Sequence, residues 1–177
     1  MKDLIPAWVN SELKPVEKLE VHKRALKHKA ISVFIISGAE TLIQQRALTK
    51  YHTPGLWANA CCTHPHWKEA PRTCATRRLK EELGIETGIE LLYKNQIEYR
   101  ADVGHDLVEH EIVDIFTMEV ESKKNIQIDI NPAEVMATRW IKFCDLSREI
   151  GRSPDTFTPW IRIYLKDYAE QIIPSHY

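Results

Sequence analysis

The 177-residue chain has no long apolar run, no excess of one charge and no disulfide-like cysteine spacing. Each absence closes a class of function. The longest apolar stretch, Val33-Phe34-Ile35-Ile36 between Ser32 and Ser37, falls far short of the ~18 residues a membrane helix needs. Met1-Lys2-Asp3-Leu4-Ile5-Pro6 lacks the apolar segment of a signal peptide. A formal net charge of -1, with 28% charged residues, supplies no basic field for nucleic acid or anionic lipid, so the expected partner is a small molecule. Cysteines 61, 62, 74 and 144 include an adjacent pair that an ordinary bridge would strain, so the expectation is reduced thiols in a cytoplasmic protein. Repeats and low-complexity segments are missing, as are Gly-x-Gly-x-x-Gly, the P-loop pattern, Cys-x-x-Cys and His-Glu-x-x-His. What remains is an ordinary composition, 44% hydrophobic, long enough for one domain with its own core.

Taken in order, residues 1–16 carry two prolines and little pattern, and predict an N-terminal arm. Ala30-Ile31-Ser32-Val33-Phe34-Ile35-Ile36 is β-branched and nearly continuous, the pattern of a buried strand. Ser37-Gly38-Ala39-Glu40 turns it into a second strand, Thr41–Arg46. Pro71-Arg72 opens a helix that runs to Leu83 and stops at Gly84, with Leu79 and Leu83 on its core stripe. Further strands are expected around residues 89–100, at Val108–Phe116 and at Thr138–Phe143. A short turn at Asn131–Met136 and a short helix from Asp145 to Gly151 flank the last of these. Thr158-Pro159-Trp160 reads as an N-cap followed by proline at N1, starting a C-terminal helix over about 159–173.

Chemistry concentrates in a few places. Cys62 and His64, two apart in an extended segment, point to one side. Glu109 and Glu111 alternate onto a face that is otherwise apolar, where two carboxylates are costly unless a cation lies between them. His22 and His28, six apart, would share one face of a strand. Together, three histidines and two glutamates can supply a nitrogen-and-oxygen site for Mn²⁺, Zn²⁺, Fe²⁺ or Mg²⁺. Arg46 and Lys50 read equally as a solvated rim or a phosphate fork. On the helix, Arg78 and Glu82, like Arg77 and Glu81, read as surface ion pairs when taken alone.

The helix resembles a degenerate Nudix box. The pattern Gly-x5-Glu-x7-Arg-Glu-aliphatic-x-Glu-Glu-x-Gly falls on Thr63, Glu69, Arg77, Arg78, Leu79, Lys80, Glu81, Glu82, Leu83 and Gly84. Thr63 replaces the first glycine and Arg78 replaces the first glutamate of the core. A cation in place of that carboxylate weakens hydrolysis and favours gripping phosphate.

With Cys62-Thr63-His64-Pro65, Glu109-x-Glu111, Arg46-x3-Lys50 and Thr158-Pro159-Trp160 added, residues 18–160 resemble the type I isopentenyl-diphosphate isomerases of the compact bacterial form. The resemblance implies an α+β fold, a Nudix-like α/β/α sandwich with a mixed central sheet in a single domain. It implies a metal-dependent enzyme that moves a carbon–carbon double bond between isopentenyl and dimethylallyl diphosphates. Catalytic roles carry over to Cys62, Glu111, Tyr99 and the aromatic wall Trp160, and diphosphate binding to Lys18, Arg46, Lys50 and Arg78. His22, His28, His64, Glu109 and Glu111 would hold one Mn²⁺, Zn²⁺ or Mg²⁺, and Glu82 would hold Mg²⁺ against the diphosphate. Cys61 is left as a packing residue. The partner implied is an allylic or homoallylic diphosphate, with no nucleic acid or membrane, the protein acting as a monomer or weak homodimer. A Nudix-type diphosphohydrolase and a non-catalytic metal-binding module are the competing readings.

Overall fold

A computed structural model describes residues 3–86, 88 and 90–173, and among them nine strands form one mixed sheet. Its centre is β3 (Lys27–Ser37). It runs parallel to β8 (Val108–Glu119) over the whole stretch from Lys27 opposite His110 to Ile36 opposite Glu119. The short β6 (Cys61–Thr63) lies antiparallel to β3, with Cys62 opposite Ser32. A tight turn at Gly38, φ +56°, leads into β4 (Glu40–Arg46), which β5 (Trp57–Asn59) and β9 (Val135–Lys142) flank. β7 (Leu92–Asp102) closes the far side against β8.

The near-continuous apolar run of β3 is explained by its burial on both faces. Ala30, Phe34 and Ile36 join one core cluster with Val113, Ile115, Trp160 and Tyr164. Ile31, Val33 and Ile35 join another with Leu79, Leu83 and Met118. Helices therefore cover both faces, giving the expected α/β/α sandwich. Each fully buried side chain of this kind contributes about 1.5–3 kcal/mol. No helix among the described residues is long and apolar enough to cross a membrane.

The box helix α2 (Pro71–Leu83) has the expected ends, with Pro71 in the first turn and Gly84 in the left-handed region at φ +64°. Gly84 is required twice over. A Cβ there would stand 2.6 Å from the Asp129 carbonyl oxygen, so any side chain would force the following loop away.

Three expectations are corrected. The N-terminal arm is a hairpin, β1 (Leu4–Val9) with β2 (Glu12–Glu17), joined by Asn10 and Ser11 at φ +52° and +66°. Two left-handed residues suit the twist of a two-residue hairpin loop. Pro6 and Pro15 are tolerated because they face each other. Counting from the closing pair Val9–Glu12, their pair is one that exchanges no backbone hydrogen bonds.

Second, His22 and His28 do not share a strand. His22 lies on α1 (Lys18–Lys23), whose N-terminus the Glu17 carboxylate caps by accepting from Leu19 and Glu20 N–H at 3.1 and 2.9 Å. A turn through Ala25 at φ +51° then leads into β3, which carries His28.

Third, the C-terminal helix breaks into α4 (Pro159–Asp167) and α5 (Ala169–Ile172) at Tyr168, φ −133°. The Tyr168 hydroxyl donates to the Glu98 carbonyl at 3.2 Å, fixing the break against β7. Thr158 occupies the N-cap position, but its hydroxyl caps nothing; its backbone N–H is spent on Trp57 O at 2.9 Å.

Candidate active site

Parallel pairing of β3 and β8 sets His28 beside Glu111, and antiparallel β6 delivers the chain to His64 on the other flank of β3. α1 lowers His22 onto them. His22 Nδ1 lies 2.6 Å from Lys18 O and His28 Nδ1 2.7 Å from Leu26 O. A carbonyl only accepts, so both Nδ1 atoms carry the proton and both Nε2 lone pairs aim inward. His28 Nε2 and His64 Nε2 stand 3.2 Å apart, His64 Nε2 is 2.9 Å from Glu111 Oε1, and His22 Nε2 is buried with no partner. These four ligand atoms lie within 4.8 Å of one another. Inward lone pairs, an orphaned nitrogen and a buried carboxylate fit a divalent cation. Burial, then the neighbouring His28, pushes His22 down to about 4; burial likewise holds His64 well below the ordinary histidine range. Neutral imidazole is the form that binds metal.

Glu109 stands apart from that set. It groups instead with His22 and His52, the His52 Nε2 lying 3.6 Å from Glu109 Oε1. Tyr99 joins the two carboxylates, its hydroxyl 2.8 Å from Glu109 Oε2 and 2.7 Å from Glu111 Oε2. Burial and then the Glu111 charge push the Glu109 carboxyl well up. Burial acts on Glu111 too, but the adjoining His28 and His64 imidazoles outweigh it and hold Glu111 well down. The Tyr99 hydroxyl has one proton, so it donates to one of the two carboxylates at a time.

Strand alternation separates the adjacent thiols. Cys61 turns into the α2-side core, with Sγ 3.8 Å from Glu82 Oε1. Cys62 faces the cavity with Glu111 and Trp160, its Sγ 3.8 Å from the Tyr164 hydroxyl. Burial, then the charges of Glu111 and Glu109, push the Cys62 thiol well up, which favours its protonated form. The cavity holds about 20 Å³, room for one water, so a ligand must displace side chains to enter. A larger open groove of about 630 Å³ lies beside Gly151, Pro154 and Arg162, but no histidine, cysteine or glutamate lines it. The smaller space is the one that Cys62, His64, Glu109 and Glu111 line.

All four expected diphosphate cations reach the cavity rim. Burial, and repulsion by Lys50, Arg78 and Arg46 against the attraction of Asp3, lower the Lys18 ammonium. Arg46 donates to Thr53 O at 3.2 Å and His52 O at 3.1 Å, with its guanidinium carbon 5.2 Å from the Trp160 ring centre. Arg78 is not free: Nη2 lies 2.6 Å from Glu82 Oε1 and 3.3 Å from Glu134 Oε2, and Nη1 lies 2.9 Å from Glu81 Oε2. Glu82 also accepts from Gln44 at 2.8 Å. His52, Tyr164 and Glu134 escaped the sequence reading. Tyr164, one helical turn after Trp160, carried a spacing signal; His52 and Glu134 carried none.

The first glutamate of the box is a brace. Glu69 receives Arg77 Nε and Nη2 at 2.7 and 2.8 Å, and its carboxyl is held down to about 2, chiefly by those bonds. A folded value below the ordinary 4.5 stabilises above about pH 4.5 and is lost as pH falls toward 2. Glu69→Gln is expected to cost about 1–2 kcal/mol at pH 7, discounted for solvent screening. Urea midpoints for both proteins should converge between pH 7 and pH 3; a constant gap would contradict the pairing.

A NUDIX domain model matches residues 26–162. An isopentenyl-diphosphate Delta-isomerase of Dinoroseobacter shibae is 55% identical over 172 residues, 97% of this chain and 96% of the relative. One of Ruegeria pomeroyi is 56% identical over 169 residues, 96% of this chain and 92% of the relative. Among solved structures, a Deinococcus radiodurans protein aligns with a TM-score of 0.72 at 10% identity, covering 92% of this chain and 96% of that one. A MutT protein from Methanosarcina mazei aligns with a TM-score of 0.62 at 14% identity, covering 81% and 94%. At such identities the solved structures speak for the fold alone, whereas the two relatives match nearly end to end. The chain belongs to the NUDIX domain family and, within it, to the isopentenyl-diphosphate Delta-isomerases.

Proposed function

We propose that this protein interconverts isopentenyl and dimethylallyl diphosphates, with Cys62 and the Tyr99–Glu111 pair as the proton-transfer groups. The observation that carries the reading is one small cavity lined by the Cys62 thiol, the Glu111 carboxylate and Trp160, with four cations at its rim. The reaction adds a proton to the terminal alkene carbon, leaves a tertiary cation at the adjacent carbon, and removes a proton from the next carbon along. The double bond moves and nothing else is gained or lost. An acid and a base that line one pocket can carry out both transfers.

The cation must meet no water. A cavity of about 20 Å³, with room for one water, limits the solvent that can reach the cation. The Trp160 ring at the cavity wall stabilises positive charge by about 0.5–2 kcal/mol. Lys18, Arg46, Lys50 and Arg78 grip the diphosphate, which anchors the substrate and does not react. His22, His28, His64 and Glu111, together with Glu109, would hold a Mn²⁺, Zn²⁺ or Mg²⁺, which would supply positive charge that keeps Glu111 ionised and oriented, and Glu82 would hold a Mg²⁺ that offsets the diphosphate charge. Four unbridged cysteines suit a reducing cytoplasm, and the partner is the small diphosphate itself.

Incubation with isopentenyl diphosphate and Mg²⁺ is expected to yield dimethylallyl diphosphate with both phosphorus atoms retained, followed by ³¹P NMR. Release of inorganic phosphate without isomer would return the site to the hydrolase reading.

A further inference from the structure

Glu134 sits in the turn between Asn131 and β9, outside the box and outside the ligand set. Its carboxylate is nevertheless placed among the diphosphate cations. Oε2 lies 2.5 Å from Lys50 Nζ and 3.3 Å from Arg78 Nη2. The turn is tied to the loop that carries Lys50: Ala47 N–H donates to Glu134 O at 2.9 Å and the Thr49 hydroxyl to Ala133 O at 3.3 Å. The acid is therefore held on the subsite by its backbone as well as by its charge. Its side chain is 23% exposed, against 19% for Lys50 and 16% for Arg78, so the three share a partly desolvated environment where charge matters more than at an open surface.

A pure anion grip would leave its cations free. Here Glu81, Glu82 and Glu134 surround Arg78 and Glu134 also meets Lys50, so two of the four cations are already paired, leaving Arg46 and Lys18, the latter 3.8 Å from Asp3, to meet a ligand. A free diphosphate ester carries about three negative charges near neutral pH, and about one when a Mg²⁺ rides on it. A half-neutralised rim suits the second species better than the first. We infer that Glu134 is a specificity-determining residue that makes the subsite prefer metal-complexed over free diphosphate by standing as a resident counter-anion to Lys50 and Arg78. The inference rests on the diphosphate reading of this rim.

Titration calorimetry with inorganic diphosphate, with EDTA and then with Mg²⁺, tests it on wild type, Glu134→Gln and Glu134→Ala. Both variants are expected to bind free diphosphate about 10-fold tighter than wild type, while binding of the Mg²⁺ complex changes little, so the gain that Mg²⁺ gives shrinks about 10-fold. Two substitutions are used because glutamine keeps the hydrogen bonds and alanine removes them. Free-diphosphate affinity that is unchanged or weaker in both would overturn the proposal and make Glu134 a scaffold for the two cations. Absence of diphosphate binding by wild type in either condition would instead overturn the diphosphate reading itself.

Discussion

Cys62→Ala is expected to lower kcat on the order of 10³-fold while leaving bound metal, measured by elemental analysis, unchanged. Cys62 reaches the cavity but lies outside both groups of converging metal-ligand atoms. Cys61→Ala, one residue away, is expected to leave kcat within a few-fold and to cost about 1–2 kcal/mol of stability, because Cys61 is packed in the opposite core against Glu82. The contrast follows from strand alternation alone. Equal losses of kcat from both substitutions would refute the assignment of the two thiols to opposite faces of the sheet.

Glu111→Gln should act differently, lowering both kcat and metal content. Among the described residues, Glu111 is the one carboxylate that touches His28 and His64, at 3.5 and 2.9 Å, and also accepts from Tyr99 at 2.7 Å. An amide keeps the shape but loses the charge, so the three inward imidazoles lose their anionic partner and the pocket loses its base. A fall in kcat on the order of 10⁴-fold and metal binding weakened by about 10–100-fold are expected. Retention of wild-type metal affinity would separate Glu111 from the metal site, and retention of turnover would remove it from the proton path.

What the sequence made legible was what periodicity can express. Glu109 and Glu111 fall on the buried face of β8 because a strand alternates, and α2 begins at proline and ends at glycine because backbone chemistry requires it. The same logic placed Cys62 and His64 on one cavity. It failed where geometry comes from a turn. The even spacing of His22 and His28 suggested a strand, whereas a capped helix and a left-handed Ala25 bring the two rings to 4.9 Å. Prolines 6 and 15 read as breakers because nothing local reveals that they pair with each other. His52 and Glu134 reach the site from connecting loops, where side-chain direction follows from tertiary contacts and no repeat announces it.

In the proposed reaction a proton leaves one carbon and another arrives two carbons away, and proton NMR of isopentenyl diphosphate with the metal-loaded protein in D₂O observes this directly. The predicted result is dimethylallyl diphosphate carrying deuterium in a methyl group, formed by wild type and not by Cys62→Ala. Isomer formed without deuterium from solvent, or formed equally by Cys62→Ala, would contradict a thiol–carboxylate pair exchanging protons across the cavity.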